Sequence, residues 1–231
     1  MTNPPYHEPL TVVIPARNAA ATLERAIASA CTAGADHVFV YDDASTDDTF
    51  DVLDGIWMKY PPLEFWSVCG DVRAGVNFAR NYLIEQSDNG LIVPLDADDT
   101  LHCLKPFREA YEPGFWVYTD YAEIDGQSVN HVKASPAGSL PRKNICGVTM
   151  LFHKSDWKKA GGYDVDFAYA EDYGLQCALV QAGIRPKYIP YIAYNRYIHP
   201  TGNYRTAMAN AYWNFYHSMA RNKYPAVFAG T

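Results

Sequence analysis

Over the first hundred residues, short apolar runs alternate with segments that carry apolar residues at helical spacing. The runs at 10–14, 37–41, 63–68 and 91–95 predict strands, and Pro15 ends the first of them. Helices are predicted after Asn18, which is a candidate N-cap, and over about 46–58 and 76–86. Strands that alternate with helices predict an α/β fold, a mostly parallel sheet with helices on both faces.

The pattern changes after Leu101. Two segments, 116–124 and 127–132, flank Asp125-Gly126, which predicts a hairpin and a small antiparallel part of the sheet. Residues 134–143 contain two prolines and a glycine and predict a surface loop. A strand over 148–152 and helices over 154–160, 172–181 and 203–223 follow. We therefore expect one domain over 1–200, whose halves meet near residue 100, and a C-terminal helical extension over 201–231.

Composition narrows the classes of function. The 231 residues are 48% hydrophobic, which indicates a folded protein, and the net charge of −7 provides no broad basic face for a nucleic acid. No apolar stretch is long enough to span a bilayer, and residues 1–9 contain no apolar signal core. The five cysteines are scattered and odd in number, so we expect reduced thiols in a cytoplasmic protein.

Acidic residues follow two of the predicted strands directly. The second strand leads into 42–47, which begins Asp42-Asp43, and the fourth leads into Asp96-Ala97-Asp98-Asp99. Ligands of such sheets bind at the carboxyl ends of the strands, where carboxylates can accept hydrogen bonds from a nucleoside or hold a hard divalent cation. Helix capping would account for Thr46 or Asp47, but not for the two acids before them.

These segments resemble the successive signatures of family 2 glycosyltransferases, which have the GT-A fold. The resemblance extends in order over residues 10–200 and is carried by Val12-Val13-Ile14-Pro15-Ala16-Arg17-Asn18, Asp42-Asp43-Ala44-Ser45-Thr46-Asp47, Arg73-Ala74-Gly75 with Ala79-Arg80-Asn81, Leu95-Asp96-Ala97-Asp98-Asp99, Gly161-Gly162-Tyr163-Asp164 and Glu171-Asp172. One departure is Ala44, where the family usually has glycine. The resemblance implies a nucleotide-binding half at about 10–100 and an acceptor half at about 101–200.

The resemblance also implies roles in binding a nucleotide-sugar donor. Asp43 would hydrogen-bond the base, commonly uracil, and Asp42 would support its loop. Asp96 would face the ribose, next to Ala97. The other residues expected around the nucleotide are Pro15, Ala16, Arg17, Arg73 and Arg80. Arg80 could pair with the acids, although a helix-surface ion pair is the alternative for this residue.

The resemblance further implies that transfer of the sugar needs a divalent metal ion and a general base. Asp98 would bind Mn2+ or Mg2+ that bridges the diphosphate, and His199 is a candidate second ligand. Asp172 would take the proton from the acceptor hydroxyl, with Glu171 positioning the acceptor or the sugar. The alternative for both acids is stabilisation of a first helical turn. Direct displacement would invert the anomeric carbon.

Two other classes of function remain as alternatives. A sugar nucleotidyltransferase would share the core and the metal, but no glycine occurs between Pro15 and Gly34 to form its usual phosphate loop. A non-catalytic nucleotide-sugar-binding module would be expected to have lost an acid of the site. Among glycosyltransferases, we expect transfer of a single sugar, with UDP favoured by family frequency. The acceptor could be a glycan, a lipid-linked sugar, a protein or a modified DNA base, and the C-terminal helix could form a homodimer.

Overall fold

The computed structural model describes residues 8–56, 59, 64–198 and 208–229. The described part of the chain contains nine strands: β1 Leu10–Ala16, β2 His37–Asp42, β3 Glu64–Cys69, β4 Leu91–Pro94, β5 Thr100–Leu101, β6 Phe115–Asp125, β7 Ser128–Val132, β8 Met150–His153 and β9 Arg185–Tyr197. It also contains eight α-helices: α1 Leu23–Ala33, α2 Thr49–Ile56, α3 Val76–Gln86, α4 Lys105–Ala110, α5 Lys154–Ala160, α6 Glu171–Gln181, α7 Met208–Lys223 and α8 Pro225–Phe228.

The strands form one mixed sheet in the order β3-β2-β1-β4-β8-β6-β9-β5. The first four strands of this order are parallel to one another. β8 is antiparallel to β4 and β6, β9 is parallel to β6, and β5 is antiparallel to β9. β7 pairs with β6 and completes the predicted hairpin. The α/β prediction, with flanking helices and a small antiparallel part, is confirmed.

β1 is apolar along most of its length because it is buried on both faces. Val12 and Ile14 pack in one hydrophobic layer with Leu23 and Ile27 of α1. Val13 points the other way and belongs to the layer that includes Leu83 of α3. A strand covered by helices on both sides has no polar alternation. Its carboxyl end is therefore the place where polar residues can reach the surface.

The C-terminal helix α7 packs on the same domain. Tyr216 is buried, and its ring centroid lies 5.7 Å from that of Phe167; the ring centroid of Tyr224, which follows α7, lies 6.0 Å from Phe167. Tyr212 and Phe215 on the same helix remain exposed. A homodimer through this helix stays a prediction. Among the described residues, none of the helices has the length and apolarity that crossing a bilayer requires.

The structure corrects the prediction at the first helix. Asn18 is not the N-cap, because α1 begins at Leu23 and is preceded by Thr22. Asn18 instead adopts a left-handed conformation with a φ of 48°, which asparagine tolerates better than most residues. Its Oδ1 accepts a hydrogen bond of 2.8 Å from the Thr46 backbone N–H. The side chain therefore ties two loops together.

Smaller differences concern where elements begin. α2 begins at Thr49 rather than near 46, because Asp47 Oδ1 accepts a bond of 3.1 Å from the Thr49 N–H. The predicted strand 148–152 is observed at Met150–His153. The 134–143 segment is a loop with one 3-10 turn, but it is not entirely superficial, since Leu140 and Pro141 are buried. Predictions for 57–58, 63 and 203–207 lie outside the described residues.

Candidate active site

Three carboxylates meet in the turn between β4 and β5. Oxygen atoms of Asp96, Asp98 and Asp99 all lie within 4.8 Å of one another. The Asp99 backbone N–H donates to the Asp96 carbonyl over 3.1 Å, which closes the turn and brings the side chains together. The only one of these acids assigned to metal binding from sequence was Asp98. The structure places Asp96, expected at the ribose, and Asp99, which had no assigned role, at the same point.

The pKa of Asp99 reflects its burial and the repulsion between the carboxylates of this cluster. Asp99 is buried, and its Oδ1 accepts a hydrogen bond of 2.9 Å from the Tyr197 N–H of β9. Burial, and then the charges of Asp96 and Asp98, raise the pKa of Asp99 to about 8. A divalent cation would relieve this repulsion, and oxygen ligands are those that Mn2+ and Mg2+ accept. The donor set therefore fits such a cation.

Arg80 lies behind the acidic turn, with none of its surface exposed. Its Nη2 is 2.6 Å from Asp96 Oδ1 and its Nη1 is 3.2 Å from Glu171 Oε1. The predicted pairing with acids is observed, whereas the alternative of a surface ion pair is wrong. The guanidinium compensates two carboxylates that burial would otherwise penalise.

The loops expected to hold the nucleotide are joined to one another at the ends of β1 and β2. The buried carboxylate of Asp43 accepts bonds of 2.6 and 2.9 Å from the backbone N–H groups of Ala74 and Gly75. Arg17 is exposed, and its Nη1 donates to the Asp43 carbonyl over 2.9 Å. Asp42 Oδ1 accepts from the Ser45 N–H over 3.0 Å. Asp42 therefore supports its own loop, as the resemblance implies.

Ala44 occupies a backbone conformation that favours glycine. Its φ is 54°, in the left-handed region that costs an L-residue about 1–2 kcal/mol. This conformation gives a physical reason for the glycine that the family usually has here. The alanine is compatible with the loop because its side chain is small.

For the remaining residues predicted at the donor site, the structure gives the position and the burial of the side chain. Pro15 is half-buried at the end of β1, and Ala16 and Ala97 are buried. Arg73 is exposed, next to the two backbone N–H groups that Asp43 accepts from. His199, the candidate second metal ligand, lies outside the described residues. Base, ribose and metal contacts therefore stay predictions for all of these positions.

Glu171 and Asp172 begin helix α6. Asp172 is 7% exposed, and its Oδ1 accepts a bond of 2.8 Å from the Tyr173 N–H. Its Oδ2 accepts from Asn144 Nδ2 over 2.6 Å. Burial raises the pKa of Asp172, against the lowering effect of these two hydrogen bonds. Burial also raises the pKa of Glu171, to about 7, although Arg80 opposes the rise. Both acids therefore hold a proton more readily than exposed carboxyl groups do, which is typical of groups at a functional site.

A cavity of about 250 Å3 joins the acidic turn to the start of α6. It is lined by Asp96, Asp99, Tyr121, Val132, Lys133, Ala134, Ser135, Asn144, Ile145, Cys146, Gly147, Val148, Glu171, Asp172, Tyr194 and Arg196. Asp96 and Asp99 of the acidic turn and the proposed base Asp172 therefore face one space. Sequence reasoning missed Asn144 and Arg196, which belong to no motif. The sequence could have indicated that Gln176 lies near Asp172, because residues four positions apart are neighbours on a helix.

Comparison with known proteins shows similarity in sequence and in fold. Residues 11–112 match the family model for glycosyl transferase family 2. The chain is 29% identical over 203 residues to a chondroitin synthase from Escherichia coli; the match covers 82% of this chain and 29% of the synthase. The chain thus spans less than a third of that relative.

Solved structures show the same fold at low sequence identity. A mannosyltransferase from Pyrobaculum calidifontis, in complex with GDP-Man and Mn2+, superposes with a TM-score of 0.77 at 19% identity and covers 97% of this chain and 69% of its own. S. aureus TarS 1-349, in complex with UDP-GlcNAc, gives a TM-score of 0.69 at 15% identity and covers 94% and 67%. Residues 11–112 therefore match glycosyl transferase family 2, and the chain has the GT-A fold that it shares with these solved structures.

Proposed function

We propose that this protein transfers a single sugar from a nucleoside-diphosphate sugar, preferably a UDP-sugar, to an acceptor hydroxyl by a metal-dependent, inverting displacement. The observation that carries the proposal is the shared cavity, which Asp96 and Asp99 line together with Asp172. It allows a donor diphosphate near the acidic turn and an acceptor near the base to occupy one space. The relatives in complex with UDP-GlcNAc and GDP-Man support a nucleotide-sugar donor.

The residues at the ends of β1 and β2 would bind and orient the donor. Asp43 already fixes the backbone at Ala74 and Gly75, and each carboxylate oxygen retains a lone pair that can accept from a base N–H. Asp96 would accept from a ribose hydroxyl while Arg80 holds its carboxylate in place. Binding the nucleotide rigidly converts the chemical step into one between pre-oriented groups.

Asp98, with Asp96 and Asp99, would hold the cation. When bound, Mn2+ or Mg2+ supplies positive charge that stabilises the nucleoside diphosphate as it leaves. The Mn2+ in the Pyrobaculum calidifontis mannosyltransferase complex supports a divalent metal here. His199 is proposed as a further ligand from the family resemblance.

Asp172 would act as the general base. As the acceptor oxygen forms its bond to the anomeric carbon, its proton passes to an Asp172 carboxylate oxygen. The bond from that carbon to the phosphate oxygen breaks, and its electron pair remains on the diphosphate. Attack opposite the leaving group inverts the anomeric configuration. Glu171, held by Arg80, would position the sugar or the acceptor.

A thermal-shift panel tests the donor site. UDP, GDP, dTDP, CDP and their common sugars would each be added with Mn2+, with Mg2+ or with chelator. A ligand at a hundredfold excess over its Kd stabilises the native state by about 2.7 kcal/mol. We expect UDP compounds to raise the melting temperature only with metal. No shift with any nucleotide would contradict the proposal.

Once binding of a nucleotide is found, the reaction products distinguish a glycosyltransferase from a nucleotidyltransferase and from a non-catalytic module. A glycosyltransferase transfers the sugar of its donor to an acceptor, or slowly to water, and releases the nucleoside diphosphate. A nucleotidyltransferase would instead join a sugar phosphate to a nucleoside triphosphate, which loses pyrophosphate. A non-catalytic module would consume neither. The acceptor classes to be screened are glycans, lipid-linked sugars, proteins and modified DNA bases.

A further inference from the structure

A directed chain of hydrogen bonds ends on the carboxylate of Asp172. The Ile145 backbone N–H donates to Gln176 Oε1 over 3.3 Å. Gln176 Nε2 then donates to Asn144 Oδ1 over 2.8 Å, and Asn144 Nδ2 donates to Asp172 Oδ2 over 2.6 Å. Two side-chain amides thus stand between a backbone N–H and the carboxylate of α6.

The direction of this chain is fixed by the groups around it. Asn144 Oδ1 accepts a second bond, of 3.2 Å, from the Cys146 N–H. If the Asn144 amide rotated by half a turn, its NH2 group would face two donors and its oxygen would face a carboxylate. Gln176 is fully buried and similarly held by the Ile145 N–H. The arrangement therefore permits one orientation, in which a donor points at Asp172.

We propose that Asn144 is a positioning residue for the general base, and that Gln176 holds Asn144 in the orientation that donates to Asp172. The inference rests on the proposed function in one respect, namely that Asp172 is the base. It extends that function because neither amide belongs to any motif of the family resemblance. Asn144 lies in the segment before β8, whereas Asp172 and Gln176 lie on α6.

Two consequences follow for Asp172. A donor on Oδ2, together with the Tyr173 N–H on Oδ1, fixes the plane of the carboxylate at the wall of the cavity. A hydrogen bond to the charged form also favours ionisation, and a base must be ionised before it can accept a proton. Asn144 therefore counteracts the burial of Asp172 without bringing a positive charge into the cavity.

The other groups that influence Asp172 lie on several elements. Arg80 of α3 favours the ionised form, whereas Asp96 of the acidic turn opposes it. Glu171 precedes Asp172 on α6 and also carries a carboxylate. Among the described residues, Asp172 also interacts electrostatically with Tyr121, Cys146 and Tyr163. The charged side chains of Lys133 and Arg196 line the same cavity. A substitution at Asn144 or Gln176 replaces none of these side chains. Gln176 Nε2 also donates to Cys146 Sγ over 3.2 Å, so the variant at Asn144 gives the more direct measure of the amide's effect.

Carboxyl-carbon NMR titration of metal-free protein labelled with 13C-aspartate tests the inference directly, with the Asp172 signal assigned by its loss in Asp172→Asn. In Asn144→Leu we expect the Asp172 midpoint to rise by about 1 unit, the effect of one hydrogen bond to a charged group. The matched control is Asn130→Leu, at an exposed position of β7, which should leave the midpoint unchanged. An unchanged midpoint in folded Asn144→Leu would show that Asn144 only ties down its loop, and would overturn the proposal.

Gln176→Met provides a second variant if Asn144→Leu does not fold. It leaves Asn144 in place but removes the group that orients it, so the Asp172 midpoint should again rise. A wild-type midpoint in this variant would also overturn the proposed role of Gln176. The titration uses no donor or acceptor. Failure of the nucleotide-sugar panel would therefore contradict the proposed function, whereas an unshifted midpoint would contradict the role of the amides.

Discussion

Arg80 Nη2 lies 2.6 Å from Asp96 Oδ1, and this contact joins helix α3 to the acidic turn. The same guanidinium reaches Glu171 Oε1 at the start of α6, over 3.2 Å. Asp96 lies in the half expected to bind the nucleotide, about 10–100, and Glu171 lies in the half expected to bind the acceptor, about 101–200. One buried cation therefore holds together the two sides of the cavity.

Removing this cation should destabilise the fold. In Arg80→Met, Asp96 and Glu171 lose their partner, and breaking a buried ion pair costs about 3–5 kcal/mol. Arg80→Lys should recover only part of the loss, because one ammonium group cannot reproduce two separate guanidinium contacts. Urea denaturation of metal-free protein measures the free energy of unfolding. Arg142→Met, at an exposed arginine, is the control. Equal stabilities of Arg80→Met and wild type would mean that the ion pairs of Arg80 contribute nothing to the free energy of unfolding.

Asp43→Asn should weaken donor binding through the loop that Asp43 holds. Its two oxygens accept from the Ala74 and Gly75 N–H groups, and an asparagine amide would turn its NH2 toward one of them. We expect KM for the donor to rise at least tenfold while kcat changes little. The comparison variant is Asp51→Asn, an exposed acid in the first turn of α2. A donor KM equal to that of wild type would contradict the role assigned to Asp43.

Gly147 and Tyr194 form a close contact at the wall of the cavity. A Cβ at Gly147 would lie 1.7 Å from the Tyr194 hydroxyl oxygen, whereas at Gly138 it would meet nothing within 4 Å. Gly147→Ala should therefore lower the melting temperature by several degrees, and Gly138→Ala should not. Adding Tyr194→Phe to Gly147→Ala removes the clashing oxygen and should restore part of the loss. Additive effects in this double-mutant cycle would contradict the contact.

Glu171 should make stability depend on pH in a defined direction. Its pKa is raised by burial from 4.5 to about 7 in the folded protein. The folded state therefore binds more protons than the unfolded state between these values, and this group's contribution to stability is lost as pH rises through that window. Glu171→Gln should flatten the corresponding part of the curve of unfolding free energy against pH in metal-free protein. A curve of unchanged slope would contradict the raised pKa.

Catalytic activity should increase with pH, whereas the contribution of Glu171 to stability decreases with pH. Burial raises the pKa of Asp172, and only its ionised form can accept the proton of the acceptor. We expect kcat to increase with pH, with a midpoint above the value of about 4 that an exposed aspartate would give. Asp172→Asn should retain donor binding but lose transfer. Full transfer by Asp172→Asn would show that another group is the base.

The sequence predicted those parts of the molecule in which local pattern and burial agree. β2 and β4 are buried along nearly their whole length, so their apolar runs predicted buried strands, and the acids that follow them were expected at the carboxyl edge of the sheet. Asn18 was misassigned because the same side chain can cap a helix or accept from a loop across 28 positions, as it does at Thr46. Local spacing does not distinguish these two uses.

The hydrogen bonds behind Asp172 could not be predicted for a different reason. Asn144 and Asp172 are 28 positions apart, and a polar residue in a loop has no periodicity that reveals its partner. Gln176 lies one turn from Asp172, yet α6 is buried around nearly its whole circumference, so a polar face is not apparent. The motifs included Asp96, Glu171 and Asp172, which the structure places around one cavity, whereas the groups that orient these side chains became apparent only in the fold.

Calorimetric titration of UDP into wild type, Asp98→Ala and Asp54→Ala, with Mn2+ or with chelator, tests the central claim most directly. Asp54 is an exposed acid on α2 and provides the control. We predict that wild type and Asp54→Ala bind UDP only with metal, and that Asp98→Ala loses at least tenfold in affinity under the same conditions. Binding of UDP by Asp98→Ala with wild-type affinity and unchanged metal dependence would contradict a metal-dependent donor site at the acidic turn.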